Sequence, residues 1–239
     1  MTVARAIRAI SFDLDDTLWP MRPAIEQAEQ ALARWLAEHA PRTSVWLTPE
    51  ARRALRAEVL AAHPARAHDV SFVRHAWLRR AFAAAGDDPS FADPAFETFL
   101  AARRRVSPYD DVEAVLRRWA ARYRLIAISN GNGDVRQLSF GGLFAASVNA
   151  HQCDFAKPDP RIFHEGCRQA GVAPSEVLHV GDDLALDVRG AADAGLHAAW
   201  LRRPDVPHRE PPQAADGVAI GTFDSLAALD AFLHPPAAR

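Results

Sequence analysis

A short apolar run at residues 7–12 is separated from every other strand-like segment by residues 22–105, whose apolar positions repeat at helical spacing throughout. Four amphipathic helices are predicted there. The first follows Pro23 and carries Ile25, Ala28, Leu32, Trp35 and Leu36 on one face. The second opens at Thr48-Pro49, the third is capped by Ser71, and the fourth starts at Asp93-Pro94. After Pro108 the pattern changes. Residues 125–129 and 177–180 are continuous apolar runs of the kind that form central parallel strands, and 146–149, 197–201 and 217–220 are weaker strand candidates. Helices are expected between them, near 110–123, 134–142, 159–170, 185–194 and 225–233. Such alternation predicts an α/β fold with a doubly wound parallel sheet. The first strand has to join that sheet, so the helical stretch is an insertion. The expected division is a core of residues 1–19 and 107–239, and an all-helical domain of residues 20–106.

With 239 residues, 49% of them hydrophobic, the chain can bury the core that such a sheet needs. A formal net charge of −2 does not suggest a nucleic-acid partner, and the basic run Arg103-Arg104-Arg105 lies in a helical pattern as a solvated face. Cys153 and Cys167 are the two cysteines and form no C-x-x-C pair, which fits a reducing compartment. The N-terminal residues lack a signal-peptide apolar region, and no run approaches the roughly 18 apolar residues of a membrane span. A soluble cytoplasmic protein is expected, monomer or homodimer, with neither membrane nor nucleic acid as partner.

Ligands of parallel sheets bind beyond the carboxyl ends of the strands, so the residues at those ends are the candidate site. The first strand ends in Asp13-Leu14-Asp15, the second in Ser129-Asn130-Gly131, and the fourth in Gly181-Asp182-Asp183 with Asp187 one turn on. Lys157 precedes Pro158 at a helix entrance. Carboxylates from two strand ends repel one another unless a cation lies between them, and hard oxygen donors suit Mg²⁺. Lys157 adds positive charge. Ser129 and the backbone amides near Gly131 are suited to hold a phosphoryl oxygen, which together makes a site for phosphoryl transfer to a carboxylate.

Asp13-Leu14-Asp15-Asp16-Thr17, Ser129, Lys157 and Gly181-Asp182-Asp183 with Asp187 resemble, in order and setting, the four motifs of the haloacid dehalogenase-like (HAD) hydrolase superfamily. The resemblance implies a Rossmannoid core with the helical insertion as a cap that closes over the site and reads the substrate. It implies that Asp13 attacks phosphorus to form an aspartyl phosphate, and that Asp15 protonates the leaving group and then activates water. It also implies Mg²⁺ held by Asp13, the main-chain carbonyl of Asp15 and Asp182, with Asp187 orienting a metal-bound water or Lys157. The expected activity is a Mg²⁺-dependent phosphatase acting on a small-molecule phosphate ester. The alternatives are a phosphomutase, a haloacid dehalogenase, which resembles this pattern but for the acid at Asp15, and a non-catalytic metal-binding switch.

A narrower resemblance, to bacterial phosphatases of riboflavin biosynthesis, rests on residues 12–19 with Arg22-Pro23, His68-Asp69-Val70-Ser71, residues 128–132 and residues 179–183. It implies flavin mononucleotide or a ribitylaminouracil phosphate as substrate. Candidate substrate contacts are then Thr17, Asn130 and Gly131 around the phosphate, Trp19 and Phe72 as stacking surfaces, and Arg22 and Arg74 toward phosphate or polyol. Trp77 reads as core of the helical domain and His179 as a buried core histidine.

Overall fold

Ala9-Ile10-Ser11-Phe12 has no exposed surface along its length, as a strand covered on both faces requires, and it forms β1 (Ala9–Phe12) at the centre of a six-stranded sheet. The structure, a computed structural model, describes residues 7–235. The remaining strands are β2 (Arg124–Ser129), β3 (Phe144–Asn149), β4 (Val177–Gly181), β5 (His197–Leu201) and β6 (Thr222–Phe223). All pair in parallel, in the order β3-β2-β1-β4-β5-β6. Chain order reverses at β1, which lies between β2 and β4, and this is the switch point where doubly wound sheets open a crevice. The register brings the strand ends level, with Phe12 opposite Ala127 on one side and Val180 on the other.

The chain divides into two compact units, one within Met1–Pro20 and Ser107–Arg239 and the other Met21–Val106. The second unit is all helical: α1 (Met21–His39), α2 (Pro41–Trp46), α3 (Pro49–Ala62), α4 (Val70–Ala85) and α5 (Ala92–Arg103). Its core gathers Leu32, Val59, Trp77, Leu78, Phe82 and Phe99. Full burial of side chains of this size contributes about 1.5–3 kcal/mol each by transfer from water. Thr48 caps α3 by accepting from the Ala51 amide, with Pro49 in the first turn. The cap of α4 is Asp69 and not Ser71: the carboxylate accepts from the Phe72 amide at 2.9 Å, so the helix begins two residues before the expected start.

The first unit adds α6 (Val112–Ala120), α7 (Pro160–Ala170), α8 (Gly190–Asp193) and α9 (Leu226–Leu233). One sheet face packs Ile126, Ile128 and Val148 against Ile162, Phe163 and Val188, and on β1 Phe12 stacks on Trp119 with ring centroids 6.0 Å apart. Two expected elements are absent. Residues 134–142 form two 3₁₀ turns, because the chain doubles back so closely that a Cβ on Gly141 would lie 2.5 Å from the Val135 carbonyl oxygen. Residues 217–220 are not a strand, since Gly217 takes φ 78° and pairing with β5 begins only at Ile220. Among the described residues no helix is long and apolar enough to cross a membrane.

Candidate active site

Asp13 follows β1 directly, its amide donating to the Val180 carbonyl at 2.9 Å, so the sheet itself holds its backbone. Asp182 stands one residue beyond β4. Its carboxylate accepts from Thr17 Oγ1 at 3.3 Å, and its carbonyl accepts from the Trp200 indole at 2.8 Å. The chain after β4 winds into a π-turn, Leu184–Arg189, in which the Asp183 carbonyl accepts from the amides of both Asp187 and Val188. The Asp183 carboxylate caps the same turn through the amides of Ala185 and Leu186, each at 2.8 Å. Asp183 thus shapes the turn that delivers Asp187.

Lys157 is buried, and its Nζ donates to Asp13 Oδ1 and to Asp187 Oδ1, the latter at 2.6 Å. Its backbone is clamped by Asn130, whose side-chain amide donates to the Lys157 carbonyl at 2.9 Å and accepts from the Lys157 amide at 2.8 Å. Asn130 therefore engages Lys157 through both ends of its amide. Ser129, the last residue of β2, accepts from the Gly131 amide at 3.0 Å and is buried. Behind Asp187 lies His179, which spans Asp187 Oδ1 at 3.2 Å and Ser11 Oγ at 2.9 Å. Burial pushes the His179 imidazole toward its neutral form, and Asp187 opposes that only in part.

Carboxylate oxygens of Asp13, Asp182 and Asp187 can be chosen that all lie within 4.8 Å of one another. Three carboxylates against one ammonium leave two negative charges unbalanced. Burial, which Lys157 only partly offsets, pushes Asp13 up to about 7, and burial together with the Asp13 charge pushes Asp182 up to about 9. Asp187 is driven the other way: burial raises it, but Lys157 and His179 outweigh burial and keep it ionised. Lys157 likewise stays charged because Asp13 and Asp187 overcome the cost of its burial. The chemistry of the donor set, hard oxygens short of positive charge, fits a divalent cation of the Mg²⁺ type.

The turn after Asp13 is tightly tied. Asp16 takes φ 58°, its amide donates to the Trp19 carbonyl at 2.7 Å, and the Trp19 indole N–H donates to Asp15 Oδ1 at 2.9 Å. Trp19 is fully buried. Arg203 is buried and donates twice to the Thr17 carbonyl, at 3.0 and 3.2 Å. The same guanidinium forks onto Asp111 at 2.9 and 3.0 Å. No local pattern marks Arg203 as part of the site, because its partners lie far away in sequence.

Arg22, Phe72 and Arg74 belong to the helical unit. Arg22 is a solvent-exposed partner of Glu26 at 2.8 Å. Phe72 lies under the Arg66 guanidinium at 3.6 Å, and Arg74 pairs with Glu29 at 2.8 Å while covering the Phe99 ring at 3.6 Å.

A doubly wound sheet with its chemistry borne by strand-end carboxylates, a buried lysine and a serine defines a Rossmann-like hydrolase. The chain belongs to the haloacid dehalogenase-like hydrolase family, whose profile matches residues 7–195. It is 31% identical over 200 residues to the 5-amino-6-(5-phospho-D-ribitylamino)uracil phosphatase YigB of Escherichia coli K12, covering 82% of this chain and 84% of that one. It is 29% identical over 213 residues to a glyceraldehyde 3-phosphate phosphatase of Methanopyrus kandleri, covering 86% and 88%. Among solved structures, one described as a 2-haloacid dehalogenase from Pseudomonas syringae pv. Tomato DC3000 superposes with TM-score 0.87 at 35% identity, over 95% of this chain and 98% of that one.

Proposed function

We propose that this hydrolase is a Mg²⁺-dependent phosphatase that cleaves small-molecule phosphate monoesters through an aspartyl phosphate on Asp13. The observation that carries this reading is Asp15, two residues beyond the nucleophile and hydrogen-bonded into the same turn. An alkoxide leaving a phosphate ester needs a proton, whereas a halide departs as a stable anion and needs none. An acid beside the nucleophile is thus useful to a phosphatase and idle in a dehalogenase. The likeness to the Pseudomonas syringae protein favours dehalogenation as the second reading.

Asp13, Asp182 and the Asp15 carbonyl are the groups that would hold the cation, and Lys157 partly offsets the cost of ionising Asp13 and aims it. A divalent cation bound there would supply the positive charge that the cluster lacks and would offset charge on a phosphoryl oxygen. The Asp13 carboxylate forms a bond to phosphorus while the ester P–O bond breaks, and the leaving oxygen takes its electron pair and the proton of Asp15. Asp15, now a carboxylate, removes a proton from water as the water oxygen attacks phosphorus. The Asp13–phosphorus bond then breaks, releasing phosphate. Ser129 is the proposed binder of a phosphoryl oxygen through its hydroxyl, which here accepts from the Gly131 amide.

The core residues address a phosphoryl group that every phosphate ester shares, so substrate choice falls to the helical domain, with Phe72, Arg74 and Arg22 as its candidate contacts. The relationship to the Escherichia coli enzyme supports a ribitylaminouracil phosphate as the substrate, and flavin mononucleotide is the second candidate that the sequence resemblance implies. A panel of these two, sugar phosphates, nucleotides and 2-chloropropionate, assayed with Mg²⁺ and ranked by kcat/KM, tests both readings. Phosphate release is expected, with Asp13→Asn lowering it about 10³-fold or more while leaving the far-ultraviolet circular dichroism intact. Chloride release without phosphate release would establish the dehalogenase instead.

A further inference from the structure

The indole of Trp19 does not act as a stacking surface. We infer that it is a positioning residue for the general acid, holding the Asp15 carboxyl group in one orientation. This inference rests on the phosphatase reading above and deepens it.

Three observations carry it. First, the Trp19 N–H lies 2.9 Å from Asp15 Oδ1, and an indole N–H is a donor that cannot accept. Oδ1 is therefore held as the acceptor of that bond, which fixes the plane of the Asp15 carboxyl group. Second, Trp19 is fully buried, so the ring offers no face to a planar substrate and its hydrogen bond is made out of water, where leaving either partner unpaired is costly.

Third, the turn that joins the two residues is fastened from several directions. The Asp16 amide donates to the Trp19 carbonyl at 2.7 Å, the Leu18 amide to the Leu14 carbonyl at 2.8 Å, and the Tyr109 amide to the Leu18 carbonyl at 3.1 Å. Arg203 pins the Thr17 carbonyl from outside the turn and is itself fixed by Asp111 and by the Tyr109 ring 4.2 Å away. A donor mounted on so braced a segment holds the carboxyl group in one orientation before the ester arrives. General acid catalysis depends on such placement, because the proton must lie on the line to the departing oxygen as the P–O bond breaks.

Packing alone would also explain a buried tryptophan, so the test separates the N–H from the ring. Trp19 is replaced by phenylalanine and, site-specifically, by 3-benzothienylalanine, which keeps the bicyclic shape and lacks only the N–H. For each protein kcat/KM is measured with glycerol 3-phosphate, whose alkoxide needs a proton, and with 2,4-dinitrophenyl phosphate, whose phenolate does not. Because kcat/KM reports the steps up to aspartyl phosphate formation, the later role of Asp15 toward water does not enter. The dinitrophenyl-to-glycerol ratio of kcat/KM is expected to rise about 10-fold or more in both variants. Equal proportional losses on the two esters, or no change in the benzothienyl protein, overturns the positioning role and leaves Trp19 as packing. A wild-type protein inert on both esters overturns the phosphatase reading together with this one, so the two failures are distinguishable.

Discussion

At position 181 there is room for a hydrogen and nothing larger. A Cβ there would lie 2.5 Å from the Cβ of Asp187, whose carboxylate holds Lys157, which in turn aims Asp13. The glycine is required by that close approach rather than by its backbone angles. Gly181→Ala should therefore leave the sheet able to form while displacing Asp187. A displacement of about 1 Å at such a support lowers catalysis about 10²-fold. The check is kcat/KM together with a thermal melt: a fall in rate much larger than a modest drop in Tm is expected, and unchanged kinetics would separate Asp187 from the site. The carboxylates and Lys157 were legible in the sequence, but the side chains that brace them, Asn130 on the Lys157 backbone and His179 behind Asp187, were not. His179 reads as a core histidine and is one by burial, yet it also braces Asp187 across the turn after β4, while pairing with β1 brings Ser11 to its other ring nitrogen.

Elements with a strong period were legible, and those whose ends depend on distant contacts were not. The strands around 10, 127 and 179 announce themselves by apolar runs, whereas the stretch 134–142 has a helical composition that Gly141 defeats by letting the chain fold onto its own backbone. The last helix, α9, illustrates what holds such an element once formed. Its Asp230 accepts from the Trp119 indole at 2.6 Å, from Arg118 at 2.7 Å and from His234 at 2.9 Å, which ties α9 to α6. Burial raises the Asp230 carboxyl, but these hydrogen bonds outweigh it and hold it below its ordinary value. A depressed carboxyl group contributes stability that is complete above the unfolded value of about 4 and is lost as pH falls through the folded one. Asp230→Ala should thus cost about 1–3 kcal/mol near neutral pH. In urea melts the gap between variant and wild type should narrow as pH drops below about 4; a gap independent of pH would show that Asp230 acts by packing and not by charge.

At the scale of the whole molecule, residues more than a hundred positions apart converge only because β1 closes a sheet built mainly from the second half of the chain. That convergence was legible from one rule, that parallel sheets bind ligands at their carboxyl edge, and the repulsion between the carboxylates was legible with it, but the burial that sharpens that repulsion was not. Folding brings Asp13, Asp182 and Asp187 together with a single lysine, so the native state carries a repulsion that the unfolded chain does not feel. A divalent cation that binds only the assembled cluster should then stabilise the fold by mass action, about 2.7 kcal/mol at a hundred times its Kd. For a chain of this size, that corresponds to a rise in Tm of roughly 5–10 °C. Melting in EDTA and then in saturating Mg²⁺ measures it without reference to turnover. Asp182→Asn supplies the opposite arm, because it removes one of the crowded charges and one of the oxygen donors together. Its Tm in EDTA should lie at or above that of the wild type, and its gain on adding Mg²⁺ should largely vanish. A variant that is less stable in EDTA yet keeps the full Mg²⁺ shift would show that Asp182 serves the fold through Thr17 and that the cation is held elsewhere.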